Sequence, residues 1–106
     1  MNNQLIAEYV QNGINLLDEK EPSWRSKINK DTLDVASYTE CPLGQVYREC
    51  GAKDPSYRSL YGQKADFVYG LDKLGLLGTG STHGFGVPLN VNSIEITMEW
   101  KRVLNN

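Results

Sequence analysis

The densest group of residues able to hold a phosphate is Gly75-Leu76-Leu77-Gly78-Thr79-Gly80-Ser81-Thr82-His83-Gly84-Phe85-Gly86, with five glycines and three hydroxyl residues. Glycines allow several backbone N–H groups to aim at one anion, Thr79, Ser81 and Thr82 add hydroxyl donors, and His83 adds an imidazole. Gly78, Thr79, Gly80, Ser81, Thr82 and His83, with Arg48 and Arg58 nearby, are therefore the candidate ligand-binding residues for a nucleotide-like molecule. The stretch lacks the Gly-Lys-Ser/Thr ending of a P-loop and the G-x-G-x-x-G spacing, and no βαβ pattern surrounds it. A flexible linker that ends one helix and starts the next would have the same composition.

A second set is aromatic and basic: Tyr47, Arg48, Tyr57, Arg58, Tyr61 and Lys64. Tyrosine and arginine are enriched at binding hot spots because they offer large contact area with few rotamers to freeze. Tyr47, Tyr57, Arg58, Tyr61 and Lys64 are thus the alternative, protein-binding candidates. The same residues could stack a base while an arginine takes its phosphate, or simply pack tyrosines at the rim of a core.

Other constellations carry less. Asp18, Glu19 and Glu21 cluster where a first helix ends, and Arg25, Lys27 and Lys30 follow, which suits a surface ion-pair network. Cys41 and Cys50 lie nine positions apart; on one helix they would point to opposite sides, so the expectation is two reduced thiols acting as small core hydrophobes. His83 is the single histidine, and no close-spaced ligand pair exists, so no metal site is expected. A Cys-His nucleophile pair has no flanking signature, no carboxylate pair is marked by spacing, and no cofactor is implied.

The elements that must position these residues follow from hydrophobic spacing. Ile6, Val10, Ile14 and Leu17 predict a helix over residues 4–20, with Gly13 inside it either bending the helix or admitting another backbone. Pro22 opens a short helical piece that folds the Trp24 indole back onto the first helix. Residues 29–40 read as an extended connector pinned by Leu33 and Val35, and Cys41-Pro42-Leu43-Gly44-Gln45-Val46-Tyr47 as a helix opening at its proline. Residues 51–64 read as a loop with about one helical turn. Phe67, Val68, Leu71, Leu74 and Leu77 predict a helix over residues 65–77. Residues 93–104 fit two periods: a strand through Ile94, Ile96, Met98 and Trp100, or a helix whose Asn92 and Glu95 resemble an N-terminal cap. The fold class expected is mainly α, one compact domain over residues 1–106 with room for a short β-hairpin; the alternative is α+β with residues 93–100 as a strand.

At 106 residues the chain is too short for a two-domain enzyme, and 40% hydrophobic with 23% charged residues is too apolar for a disordered segment. A net charge of −2, evenly spread, argues against broad nucleic-acid binding. No apolar run approaches the length of a bilayer, and Met1-Asn2-Asn3-Gln4 lacks the basic start of a signal peptide, so no membrane partner and a cytoplasmic location are expected.

Gly13-Ile14-Asn15-Leu16-Leu17-Asp18-Glu19-Lys20-Glu21-Pro22-Ser23-Trp24, then Ile28 and Thr32-Leu33-Asp34-Val35, resembles a family of small uncharacterised proteins of tailed phages and prophages. The likeness continues through Cys41-Pro42-Leu43-Gly44-Gln45-Val46-Tyr47, Tyr69-Gly70-Leu71, His83-Gly84-Phe85 and Ile96-Thr97-Met98-Glu99-Trp100, and lapses over residues 49–66. It implies a phage genome and a compact helical fold, and brings no activity with it. Phage accessory proteins without catalytic motifs often act by stoichiometric binding, so the resemblance frames the functional expectation. That expectation is a non-enzymatic protein of the host-cell cytoplasm, a homo-oligomer antagonising host defence by sequestering a nucleotide-like ligand. The alternative is a protein-protein inhibitor of a defence effector such as a CRISPR nuclease complex.

Overall fold

A computed structural model describes residues 3–87 and 91–105. The chain is a small, mainly α domain: α1 (Asn3–Lys20), α2 (Pro42–Val46), α3 (Pro55–Tyr61), α4 (Ala65–Lys73) and α5 (Ser93–Leu104). Short 3₁₀ turns at Trp24–Lys27, Gly62–Lys64 and Gly80–His83 join them. No strand or hairpin occurs among the described residues. The segment from residue 93 is helical because Asn92 and Glu95 form a complete capping box, and Ile96 and Trp100 are buried one turn apart. The strand alternative for residues 93–100 is thereby set aside.

The predicted stripe of α1 holds: Ile6, Val10, Ile14 and Leu17 are buried, facing Trp24 and Trp100. The two indoles meet edge to face at 6.1 Å, and Phe85 stacks on Trp100 at 5.8 Å. Each indole N–H is satisfied, Trp24 by Asp18 and Trp100 by the Gly84 carbonyl, both at 2.8 Å. Burial of rings this large without losing a donor makes the pair the centre of the core.

The irregular stretch between α1 and α2 is held by two buried polar side chains. Gln45 on α2 accepts from the Asn29 N–H and donates to the Asn29 and Glu40 carbonyls, while the Thr97 hydroxyl on α5 accepts from the Val35 N–H. Leu33 and Val35 are thereby pressed into the core, as their sequence pattern predicts. The predicted ion-pair network also forms in part: Arg25 pairs with Asp18 and Lys27 with Glu21, whereas Lys30 reaches the Asn105 side chain.

α4 stops at Lys73, earlier than the periodicity suggests, because Gly75 adopts φ +73°. The Leu76 N–H bonds back to the Leu71 carbonyl and the Gly75 N–H to that of Asp72, with Leu71 and Leu76 both buried. This is the Schellman arrangement, in which glycine supplies the left-handed residue.

Candidate functional site

The glycine-rich segment is seated on α1 by its backbone. A Cβ placed on Gly13 would lie 2.1 Å from the His83 carbonyl oxygen and 3.1 Å from both Phe85 and Trp100. Gly13 is therefore a docking notch for another backbone, one of the two roles its position in a helix allows. Gly84 completes the seam at φ +72°, a left-handed conformation that suits glycine, with its Cβ direction closed by Val10 and Trp100. Asn12 donates to the Thr82 carbonyl across the same seam at 3.2 Å.

This seating uses several of the groups a phosphate would need. The N–H groups of Thr79, Thr82, Gly84 and Phe85 donate to the carbonyls of Leu76, Thr79, Ser81 and Gly80. The hydroxyls of Thr79 and Thr82 turn back onto the Leu76 and Thr79 carbonyls, and His83 Nδ1 faces the Thr82 hydroxyl at 3.1 Å. Gly78 stands in the loop at φ +84°, and Gly80 packs against Leu71 of α4. Arg48 is engaged elsewhere, with Glu40 at 3.2 Å and the Thr39 carbonyl at 3.4 Å. Arg58 lies on α3 and has no ion pair or side-chain hydrogen bond among the described residues.

The aromatic set is brought together more closely. Tyr47, Tyr69, Tyr57 and Tyr61 form a ladder with ring centroids at 5.8, 5.3 and 6.3 Å. Sequence reading supplied three rungs and missed Tyr69, whose i,i+4 neighbour Lys73 and helical frame gave no binding signal. Tyr47 is buried, and its hydroxyl is pushed well above the usual tyrosine range, by burial first and then by the Glu21 carboxylate. Tyr57 donates to the Asp72 carboxylate, which raises its pKa to about 12. Lys64 sits with its ammonium 5.0 Å from the Tyr38 ring, and Tyr38 in turn packs on Phe67.

The helix that carries the outer rungs was not expected. Residues 51–64 hold α3, two turns long, where the sequence suggested a loop with about one turn. Asp54 is its N-cap, accepting the Ser56 N–H and hydroxyl at 3.0 and 2.7 Å, and Pro55 takes the first position. Those donors hold the Asp54 carboxyl below its ordinary range. Behind α3, the Asp66 carboxylate gathers the N–H groups of Glu49, Gly51 and Ala52 at 2.8 to 3.0 Å. Glu49 there has φ +65°, and Gly51 fits directly against the Ala65 carbonyl, where a Cβ would be 2.0 Å away.

No residue of α3 is buried. Leu60 is 74% exposed and Tyr61 41%, and Arg58 is exposed one turn before Tyr61 on the same side, so two turns of helix offer a cationic and an aromatic side chain together, with an aliphatic one next to the tyrosine round the helix.

The cysteines separate. Cys41 is a buried N-cap of α2, its thiol pushed up to about 11 by burial, whereas Cys50 is exposed, which corrects the expectation of two core thiols. Cys41 also floors a cleft of about 370 Å³ lined by Val35, Tyr38, Phe67, Phe85 and Val87. A neutral thiol there is an unreactive wall. No three His, Cys, Asp or Glu side chains gather as a metal would need among the described residues, and no described helix is long and apolar enough to cross a membrane. No family model, curated protein or solved structure matches the chain.

Proposed function

We propose that this chain is a non-enzymatic binding protein of the phage type that works by docking a protein partner on α3. The observation that carries the reading is the exposure of Leu60 beside Tyr61 and the unpaired Arg58, on a helix that gives no residue to the core. Folding leaves these side chains uncovered, and their chemistry is that of hot-spot residues. The tyrosine ladder and the Asp66 clasp support α3 from behind, so little ordering would be lost on binding. In the phage setting that the resemblance implies, the partner class is a host defence protein, inhibited stoichiometrically. The N–H and hydroxyl groups of Thr79 and Thr82 are spent within the fold, and Arg48 is held by Glu40, which favours protein docking over nucleotide sequestration.

The test is affinity capture from host cells carrying a defence system, run in parallel with wild type, Leu60→Glu and Arg58→Glu. Wild type should retain a defence protein and both variants should lose it, with thermal stability unchanged. A partner that survives both substitutions removes α3 from consideration. A shift in melting temperature with a nucleotide, and no protein partner, would return the reading to sequestration.

A further inference from the structure

The outer face of α5 is the other place where the fold leaves large apolar side chains uncovered. Ile94 is 64% and Met98 63% exposed, four residues apart and therefore on one face, while Ile96, Thr97 and Trp100 bury the opposite one. A shallow cleft of about 390 Å³ opens beside Met98, bounded by Glu95, Glu99 and Arg102. It is wide enough to take an aliphatic side chain from a facing surface.

The charges on this face are self-complementary. Glu95 lies about 4.5 Å before Met98 along the helix axis and Arg102 about 6 Å after it, at about 1.5 Å per residue. Both stand on the same flank, seven residues apart. If a second α5 runs antiparallel with Met98 opposite Met98, each Glu95 comes within about 1.5 Å of the level of the partner's Arg102, well inside the reach of both side chains, and the two-fold axis makes the pair twice. Arg102 already holds Glu99 on its own helix at 2.6 Å, but a guanidinium has five donors and can bridge two carboxylates. A parallel arrangement would instead put the two Glu95–Arg102 flanks on opposite sides of the interface and leave no such pair.

We propose that α5 is a self-association face, on which a second copy of this chain packs antiparallel, Met98 against the facing cleft and Glu95 against the partner's Arg102. A pair of 12-residue helices is a small interface, so the dimer is reversible and concentration dependent. α3 rests on α4 rather than on this face, so pairing through α5 leaves both α3 surfaces of the dimer open.

Analytical ultracentrifugation of the full chain from low micromolar to near millimolar concentration tests this. A monomer–dimer equilibrium that tightens at low salt is expected, and Met98→Asp should weaken it about tenfold or more, as for a central anchor. Met98 is exposed, so the circular dichroism spectrum and melting temperature should not change. Glu95→Arg and Arg102→Glu should each weaken association, and the double variant should recover it. The capping-box role of Glu95 is lost in both Glu95 variants, so recovery reports the interhelical pair. In a Cys50→Ser background, Met98→Cys should be joined by a short bismaleimide and Leu60→Cys should not. A chain that stays monomeric throughout, or a dimer indifferent to Met98→Asp, overturns the proposal. Neither result bears on α3, whose partner capture is scored separately.

Discussion

The two segments that most resemble loops in the sequence, residues 75–86 and residues 51–64, have opposite relations to the core. The first is glycine-rich and looks pliable, yet its backbone is wedged into the Gly13 notch and its carbonyl at Gly84 satisfies Trp100. The second is aromatic and charged, looks ready to pack, and instead forms a helix with nothing buried. Glycine content is thus a poor measure of mobility when the absent side chains are what allow two backbones to touch. Tyrosine content is an equally poor measure of burial when the rings stack along a surface.

The sharpest way to break this contrast is Gly13→Ala. The new methyl group meets a backbone carbonyl at 2.1 Å, which cannot rotate aside as a side chain could. The cost should be about 3 kcal/mol or more, read by chemical denaturation, and the loss should be global. Gly78→Ala is the control within the same segment: its φ is +84° but the space around it is open, so only the conformational cost of about 1 kcal/mol should appear. Equal losses at the two positions would mean that the seam is not where the segment is held.

On the other side of the comparison, Asp66→Ala removes the carboxylate that collects three amides. About 2 kcal/mol is expected, confined to residues 49–61, so hydrogen exchange should quicken there while α1 and α5 keep their protection. Uniform loss of protection would show that α3 and the core are one cooperative unit.

The smallest effect concerns pH. The hydroxyl of Tyr57 donates to Asp72, and its pKa of about 12 lies above the unfolded value of about 10. The protonated form is therefore favoured by folding; its contribution is complete below about pH 10 and disappears as pH rises through 12. Ultraviolet titration should show two late-ionising tyrosines, Tyr47 and Tyr57, of which Tyr57→Phe removes one, with α3 loosening in the same range. A tyrosine that ionises at its ordinary pH would remove the Asp72 contact from the account of α3.

What was legible in the sequence follows the same division. Helices α1 and α4 announce themselves because each buries a stripe, and burial is what imposes a period of 3.6, whereas α5 fits a strand as well because its exposed Ile94 and Met98 complete an alternation with the buried Ile96 and Trp100. Asn92 with Glu95 is the capping signal that favours the helix there, and the capping box is formed. α3 buries nothing, so no period exists to be found, and the one available signal, Asp54 followed by Pro55, serves equally as a turn. The partner of Gly13 was beyond reach for a different reason: it lies seventy residues away, and an interior glycine says that something comes close without saying what. The tyrosines at 57 and 61 were visible as a set, but the ladder needs Tyr69 from α4, and only the chain's path supplies it.

The same seam also governs the order of events during synthesis. α1 carries an apolar stripe from Ile6 to Leu17, and its cover at Gly80–Phe85 and Trp100 is translated well after it. Until that cover arrives, part of the stripe is apolar surface open in the nascent chain, of the kind that chaperones protect. Closure over so long an interval raises the contact order, so this chain should fold more slowly than a helical hairpin bundle of equal length.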